Sequence, residues 1–192
     1  SVFKNTSAQG LINQGSFAAK VDISGANAMT SSVVSDIDSD GKPDIVFANK
    51  ENSVVSVLKN ISSPGSITRN SFASPVNFPA GNEPYNVAIG DIDGDGKPDM
   101  VVANNNNTII SLFKNTSNPG SINANSFSPK LDFNIGNGYG NIVIGDLDGD
   151  TKPDIAVRHW YSNSISILRN NMPTPNVPII NSINPNTGPV GT

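Results

Sequence analysis

The chain has no cysteine, which excludes a disulfide scaffold and thiolate metal sites. Secretion is not excluded by that, because bound metal can take the place of a disulfide as a staple. No apolar run approaches the ~20 residues of a membrane span, so no spanning segment is expected. No window shows helical periodicity, no Gly-rich loop suits a phosphate, and no paired carboxylates stand free for acid–base work. The lone His159 has no Ser or Cys partner at a matching repeat position. No catalytic residues are therefore expected, and the chain does not read as an enzyme. Ser1 is neither an initiator Met nor the start of a signal peptide, which suggests a piece processed or excised from something longer. A nucleic-acid partner is not expected.

Charged residues make up only 15% of the chain, but the acidic ones are concentrated. Of the 16 acidic residues, only Asp22, Glu51, Glu83 and Asp132 lie outside three short loops. Those loops read DIDSDGKPD (Asp36–Asp44), DIDGDGKPD (Asp91–Asp99) and DLDGDTKPD (Asp146–Asp154). The formal net charge of -4 is thus a property of the loops. One divalent cation in each would make the sum positive, so the low pI says nothing about basic partners.

The loops start at 36, 91 and 146, a spacing of 55 residues without insertion. Other positions share the register. Lys4, Lys59, Lys114 and Arg169 form one series, each followed by Asn, and Phe17, Phe72 and Phe127 form another. Val21, Val76 and Leu131 form a third. A period of this size points to stacked or radially arranged units. Each loop is preceded by a short apolar run (SVVS, VAIG, IVIG) and followed by another (Ile45–Phe47, Met100–Val102, Ile155–Val157). An alternating segment comes next: Val55–Val57, Ile110–Leu112 and Ile165–Ile167. Period-two alternation predicts strands, and the continuous runs predict strands buried on both faces. A weaker strand is expected after each Phe of the series. Four short antiparallel strands per unit make a propeller blade. The expected fold is all-β: three blades of a partial propeller, with an acidic loop in each. The repeats span about 6–60, 61–115 and 116–170, with Val2–Asn5 matching only the last strand of a unit. Three blades do not close, since propellers use roughly four to eight, so either blades lie upstream, which is the reading expected, or closure needs other chains.

Three Asp at alternating positions, Gly at the sixth and Asp at the ninth suit Ca²⁺, which takes roughly six to eight oxygens. Mg²⁺ is disfavoured by its stricter octahedron. An EF-hand opens in the same way but needs a bidentate Glu at position twelve and flanking helices. Position twelve here is Phe47, Val102 or Val157, each in a strand-like run. Four carboxylates without a cation repel, so an empty loop is not expected to be ordered. Asn5, Asn60 and Asn115 fall in glycosylation sequons, but they sit at a repeat position where the turn preference of Asn explains them.

The segments NVAIGDIDGDGKPDMVVAN (Asn86–Asn104) and TIISLFKN (Thr108–Asn115) resemble FG-GAP/VCBS repeats, the blades of integrin-α-like β-propellers. The resemblance covers residues 1–170 and implies a propeller of seven blades in all, with a calcium loop in each blade and so about three Ca²⁺ ions here, one per loop. It carries over as ligands Asp36, Asp38, Asp40, the Lys42 carbonyl and Asp44; then Asp91, Asp93, Asp95, Lys97 and Asp99; then Asp146, Asp148, Asp150, Lys152 and Asp154. The Lys side chains are expected to point away. Thr151 stands where Gly is expected, at a positive φ that is costly for a β-branched residue. Ser39 replaces Gly at position four, a smaller departure.

After residue 171 the repeat is lost and Pro and Asn dominate. Residues 172–192 read as a linker and the opening of an IPT/TIG immunoglobulin-like domain, on the match of Ile180–Ile183 and Gly188–Thr192. His159, Trp160 and Tyr161 break the repeat at a turn, where they are candidates to stack a sugar ring or anchor a peptide. The alternative is that they pack against a following domain. The function expected is an extracellular or cell-surface module, bacterial, for adhesion or protein binding within a larger polypeptide whose further domains are also partners. Its calcium is structural. The alternatives are a lectin-like carbohydrate-binding propeller and an accessory domain of a secreted polysaccharide-degrading enzyme.

Overall fold

The computed structural model describes residues 1–24, 28–105, 108–136, 140–160 and 162–173. Among them there are eleven strands and no helix. Tyr161 and the segment likened to an IPT/TIG opening lie outside the described residues.

The first sheet is an antiparallel meander of β1 (Met29–Ser35), β2 (Asp44–Asn49), β3 (Val54–Leu58) and β4 (Val76–Pro79). The second repeats it 55 residues later with β5 (Pro84–Gly90), β6 (Asp99–Asn104), β7 (Ile109–Phe113) and β8 (Leu131–Asn134). The third has β9 (Ile142–Gly145), β10 (Asp154–His159) and β11 (Ser164–Leu168). Even the irregularities repeat: β1 slips register between Met29 and Ser31, and β5 between Pro84 and Asn86.

The sheets are phased differently from the sequence units. The strand after Phe72 does not open the next sheet. It closes the previous one, with Val76 opposite Val57 and Phe78 opposite Val55. Burial decides this, because Phe78 completes the core against the second sheet and meets Phe127 edge-on, with ring centroids 4.9 Å apart. The strand expected after Phe17 forms only isolated bridges, Val2 to Val21 and Asn5 to Phe17. The first sits at the register of Val57 and Val76 in the β3–β4 pair, and the second at that of the Asn60–Phe72 bridge.

The sheets stack through alternate faces. Val46, Val55, Val57 and Phe78 of the first pack on Val87, Met100, Val102 and Phe113 of the second. The opposite face of the second, with Val101, Ala103, Ile110 and Leu112, packs on Ile142, Ile155 and Val157 of the third. Every residue of β6 is buried, as expected of a strand covered on both faces. Side chains also tie the first strands of neighbouring sheets. Asn86 donates from Nδ2 to the Ser31 hydroxyl (3.0 Å) and accepts at Oδ1 from Ile142 N–H (2.9 Å). The approach is close enough that a Cβ on Gly90 would lie 2.8 Å from Ile144 Cγ2. The acidic loops thus recur in one position, between the first two strands of each sheet.

Candidate metal centres

Each acidic loop is organised by its own carboxylates. At position one, Asp36 accepts from the N–H groups of Asp40 (3.1 Å) and Gly41 (2.9 Å). Asp91 accepts from Gly94, Asp95 and Gly96, and Asp146 from Gly149 and Thr151. At position five, Asp40, Asp95 and Asp150 each accept from the N–H two residues on. These contacts curl the chain tightly and force positive φ at positions four and six. Position six has Gly41 at 82°, Gly96 at 84° and Thr151 at 71°. Position four has Ser39 at 55°, Gly94 at 75° and Gly149 at 81°. Ser39 is therefore strained as well as Thr151, which its small polar side chain disguises in the sequence.

The position-nine carboxylates clasp the sheet. Asp44 accepts from Ile37 N–H (3.0 Å) and Asn60 N–H (2.8 Å), joining loop, β2 and the end of β3. Asp99 and Asp154 make the same pair of bonds. Burial raises Asp44 to about 6 despite the two N–H donors, and it raises Asp99 too. The Asn after Lys59, Lys114 and Arg169 is part of this clasp. Asn115 Nδ2 donates to Pro98 O (2.9 Å) and to Ile37 O in the preceding loop (2.8 Å), and Asn170 repeats the bridge to Pro153 and Ile92. Asn115 is 1% exposed. Its place in the sequon pattern is thus a structural one.

Oxygen atoms converge in each loop. Ligand atoms of Asp36, Asp38 and Asp40 lie within 4.8 Å of one another, as do those of Asp91, Asp93 and Asp99, and of Asp146, Asp148 and Asp154. Position five completes the first trio and position nine the other two. Asp38 is 1% exposed, and its Oδ1 is buried with no hydrogen-bond partner among the described residues. A buried, unpaired carboxylate oxygen is costly. Together with a donor set made only of hard oxygen, it fits a bound cation such as Ca²⁺.

Cations of the chain itself lie against the carboxylates of each loop. Lys59 Nζ contacts Asp38 and Asp40 (2.7 Å to the latter). Lys114 contacts Asp93 and Asp95 (2.9 Å to the latter). Arg169 contacts Asp148 through Nε and Asp150 through Nη2 (3.2 Å). Lys59 holds Asp40 below the usual carboxylate range. Burial works against Lys114's effect on Asp95, which nonetheless ends up lowered. The position-seven side chains do not all point away: Lys152 Nζ turns back to 3.7 Å from Asp150.

At the candidate ligand turn, the structure separates His159 from Trp160. His159 ends β10 and is 3% exposed. Its Nε2 lies 2.6 Å from Ser166 Oγ, a partner that a search at matching repeat positions does not find. Ser166 also donates to Ile135 O, and His159 Nδ1 has no partner among the described residues. The contact stands in register with Asn104 Nδ2 on Ser111 Oγ (3.1 Å) in the second sheet, where it is purely structural. Trp160 is half exposed, with the Arg158 guanidinium 4.6 Å from its ring centroid.

The family described as FG-GAP-like repeat matches residues 36–102 and again 91–157, so the two matches together take in all three acidic loops. No curated protein shows significant similarity to the chain.

Proposed function

The chain belongs to the FG-GAP-like repeat family, and from that premise we propose that it is a calcium-stabilised arc of a β-propeller serving as a protein-binding module. The observation that carries the metal is the buried, unpaired Oδ1 of Asp38 inside an all-oxygen cluster that recurs in each sheet. Position one, three, five and nine carboxylates, with the carbonyls of Lys42, Lys97 and Lys152, would hold one ion per loop. The ion would supply a fixed charge that draws the loop together and does no chemistry of its own.

The site of action follows from affinity. Extracellular calcium modules bind with dissociation constants of about 10⁻⁴–10⁻³ M, a range met by calcium outside cells and not inside them. We therefore place the module outside the cell or at its surface, in adhesion, with more blades completing the ring. Among the described residues, no helix is long and apolar enough to cross a membrane. Thermal melts with and without EDTA test the reading. A site filled at 100 times its dissociation constant adds about 2.7 kcal/mol, so EDTA should lower the Tm by several degrees and excess Ca²⁺ restore it. An unchanged Tm would remove the calcium role.

A second reading, a carbohydrate-binding surface, is favoured by one observation: the half-exposed Trp160 stacked by Arg158. A glycan array probed in calcium separates the two, since a protein-binding module should show no hits.

A further inference from the structure

The Lys/Arg series has a use that the repeat alone does not explain. Lys59, Lys114 and Arg169 each leave the end of the third strand of a sheet and contact the carboxylates at positions three and five of that sheet's own loop. The contact is repeated three times, with two residue types, at a constant separation of 21 and 19 residues. Lys4 stands in the same register but donates to Gly65 O (2.7 Å) and pairs with no loop carboxylate among the described residues.

Resting on the reading that the loops take a divalent cation, we propose that Lys59, Lys114 and Arg169 are built-in counter-cations: they keep each loop folded without metal and at the same time weaken its hold on the metal. The geometry supports both halves. The ammonium of Lys59 occupies Oδ2 of Asp38 and of Asp40, while Asp38 Oδ1 is left unpaired. An entering ion either competes for the occupied oxygens or binds the others beside a fixed positive charge. Both routes raise the dissociation constant. A single and a double charge about 6 Å apart under water-like screening differ by about tenfold in binding. The effect is graded by exposure. The side chain of Lys59 is 19% exposed, that of Lys114 44% and that of Arg169 57%, so screening should make Lys59 the strongest of the three. These are tuning residues and not ligands.

The test is calorimetric titration of the full chain with calcium chloride, beside melts in EDTA. Lys59→Met should lower the metal-free Tm and tighten one site by about tenfold, with Lys59→Arg close to wild type. Lys114→Met, from a half-exposed position, should fold in any case and tighten its site by a smaller factor. Lys4→Met should change neither quantity. Lower Tm values in EDTA with unchanged dissociation constants would overturn the inference, because a purely structural contact weakens the free and loaded states alike. Weaker binding in Lys59→Met or Lys114→Met would overturn it as well. If wild type and variants alike fail to bind calcium, the metal reading itself falls and the inference with it.

Discussion

The second and third sheets have the same plan 55 residues apart, yet they live in different surroundings. In the second sheet Ile110 is 0% exposed and Leu112 7%; their counterparts Ile165 and Ile167 in the third are 68% and 64% exposed. The loop follows the same trend, with Asp93 19% and Asp148 34% exposed in their side chains. The residues at these positions do not separate the two strands, since Ile110-Ser111-Leu112 and Ile165-Ser166-Ile167 carry the same apolar–Ser–apolar pattern. The second is sandwiched by a sheet on each face, whereas the third has a neighbour on only one face among the described residues. Burial here belongs to the stack and not to the strand.

That comparison can be broken most directly in the core. Ile110→Ala removes a fully enclosed side chain and should cost about 2–5 kcal/mol. Ile165→Ala, at an exposed position, should stay within about 0.5 kcal/mol. Urea melts of the two variants measure the difference. If they cost the same, the outer face of the third sheet is covered in solution.

The same dependence on neighbours marks how far the sequence could be read. The acidic loops, the period and the first three strands of each sheet are legible because Asp spacing and apolar alternation are local signals. The sheet to which Val76–Pro79 belongs is not, because a period of 55 has no phase; long-range burial of Phe78 sets it. His159 reads as part of an aromatic turn, but it is the last residue of β10 and its imidazole takes the place of the buried Asn104. Ser39 hides a left-handed backbone that only the curl of the loop demands. The cation partners of the loops were visible as a Lys/Arg series in register. Their role was not, because a 21-residue contact leaves no pattern in a window.

A smaller effect sharpens the comparison within the loops. Gly96 and Thr151 donate to the position-one carboxylate in the same way, both at 2.9 Å and both at positive φ. A Cβ on Gly96 would meet nothing within 4 Å, so the cost of a side chain there is conformational alone. Gly96→Thr should destabilise by about 1–2 kcal/mol. Thr151→Gly should gain less, about 1 kcal/mol, since glycine adds back entropy to the unfolded chain. With about 2–4 °C per kcal/mol for a chain of this size, calorimetry resolves both. If Thr151→Gly changes nothing, the third loop opens to relieve the strain and is not held by its neighbours as the second is.

The smallest effect should come from the turn that departs from the repeat. Lys50 and Asn105 occupy this position in the first two units, and both reach the Glu83 carboxylate, at 3.1 and 2.8 Å. Trp160 instead lies against Arg158 of its own strand. A half-exposed cation–π pair is worth about 0.5–1 kcal/mol, so Trp160→Ala should lower the Tm by only a few degrees. Lys50→Ala should do still less, as an exposed ion pair contributes about 0–1 kcal/mol. A loss above about 2 kcal/mol would mean that the indole ring packs into the fold, because an exposed pair cannot supply that much. A loss within the expected range leaves the ring free for a ligand, and binding can then be compared in wild type and Trp160→Ala without a folding defect to confuse it. Unaltered protein and glycan binding in that variant would remove the turn as a recognition surface and leave the difference between the sheets one of packing alone.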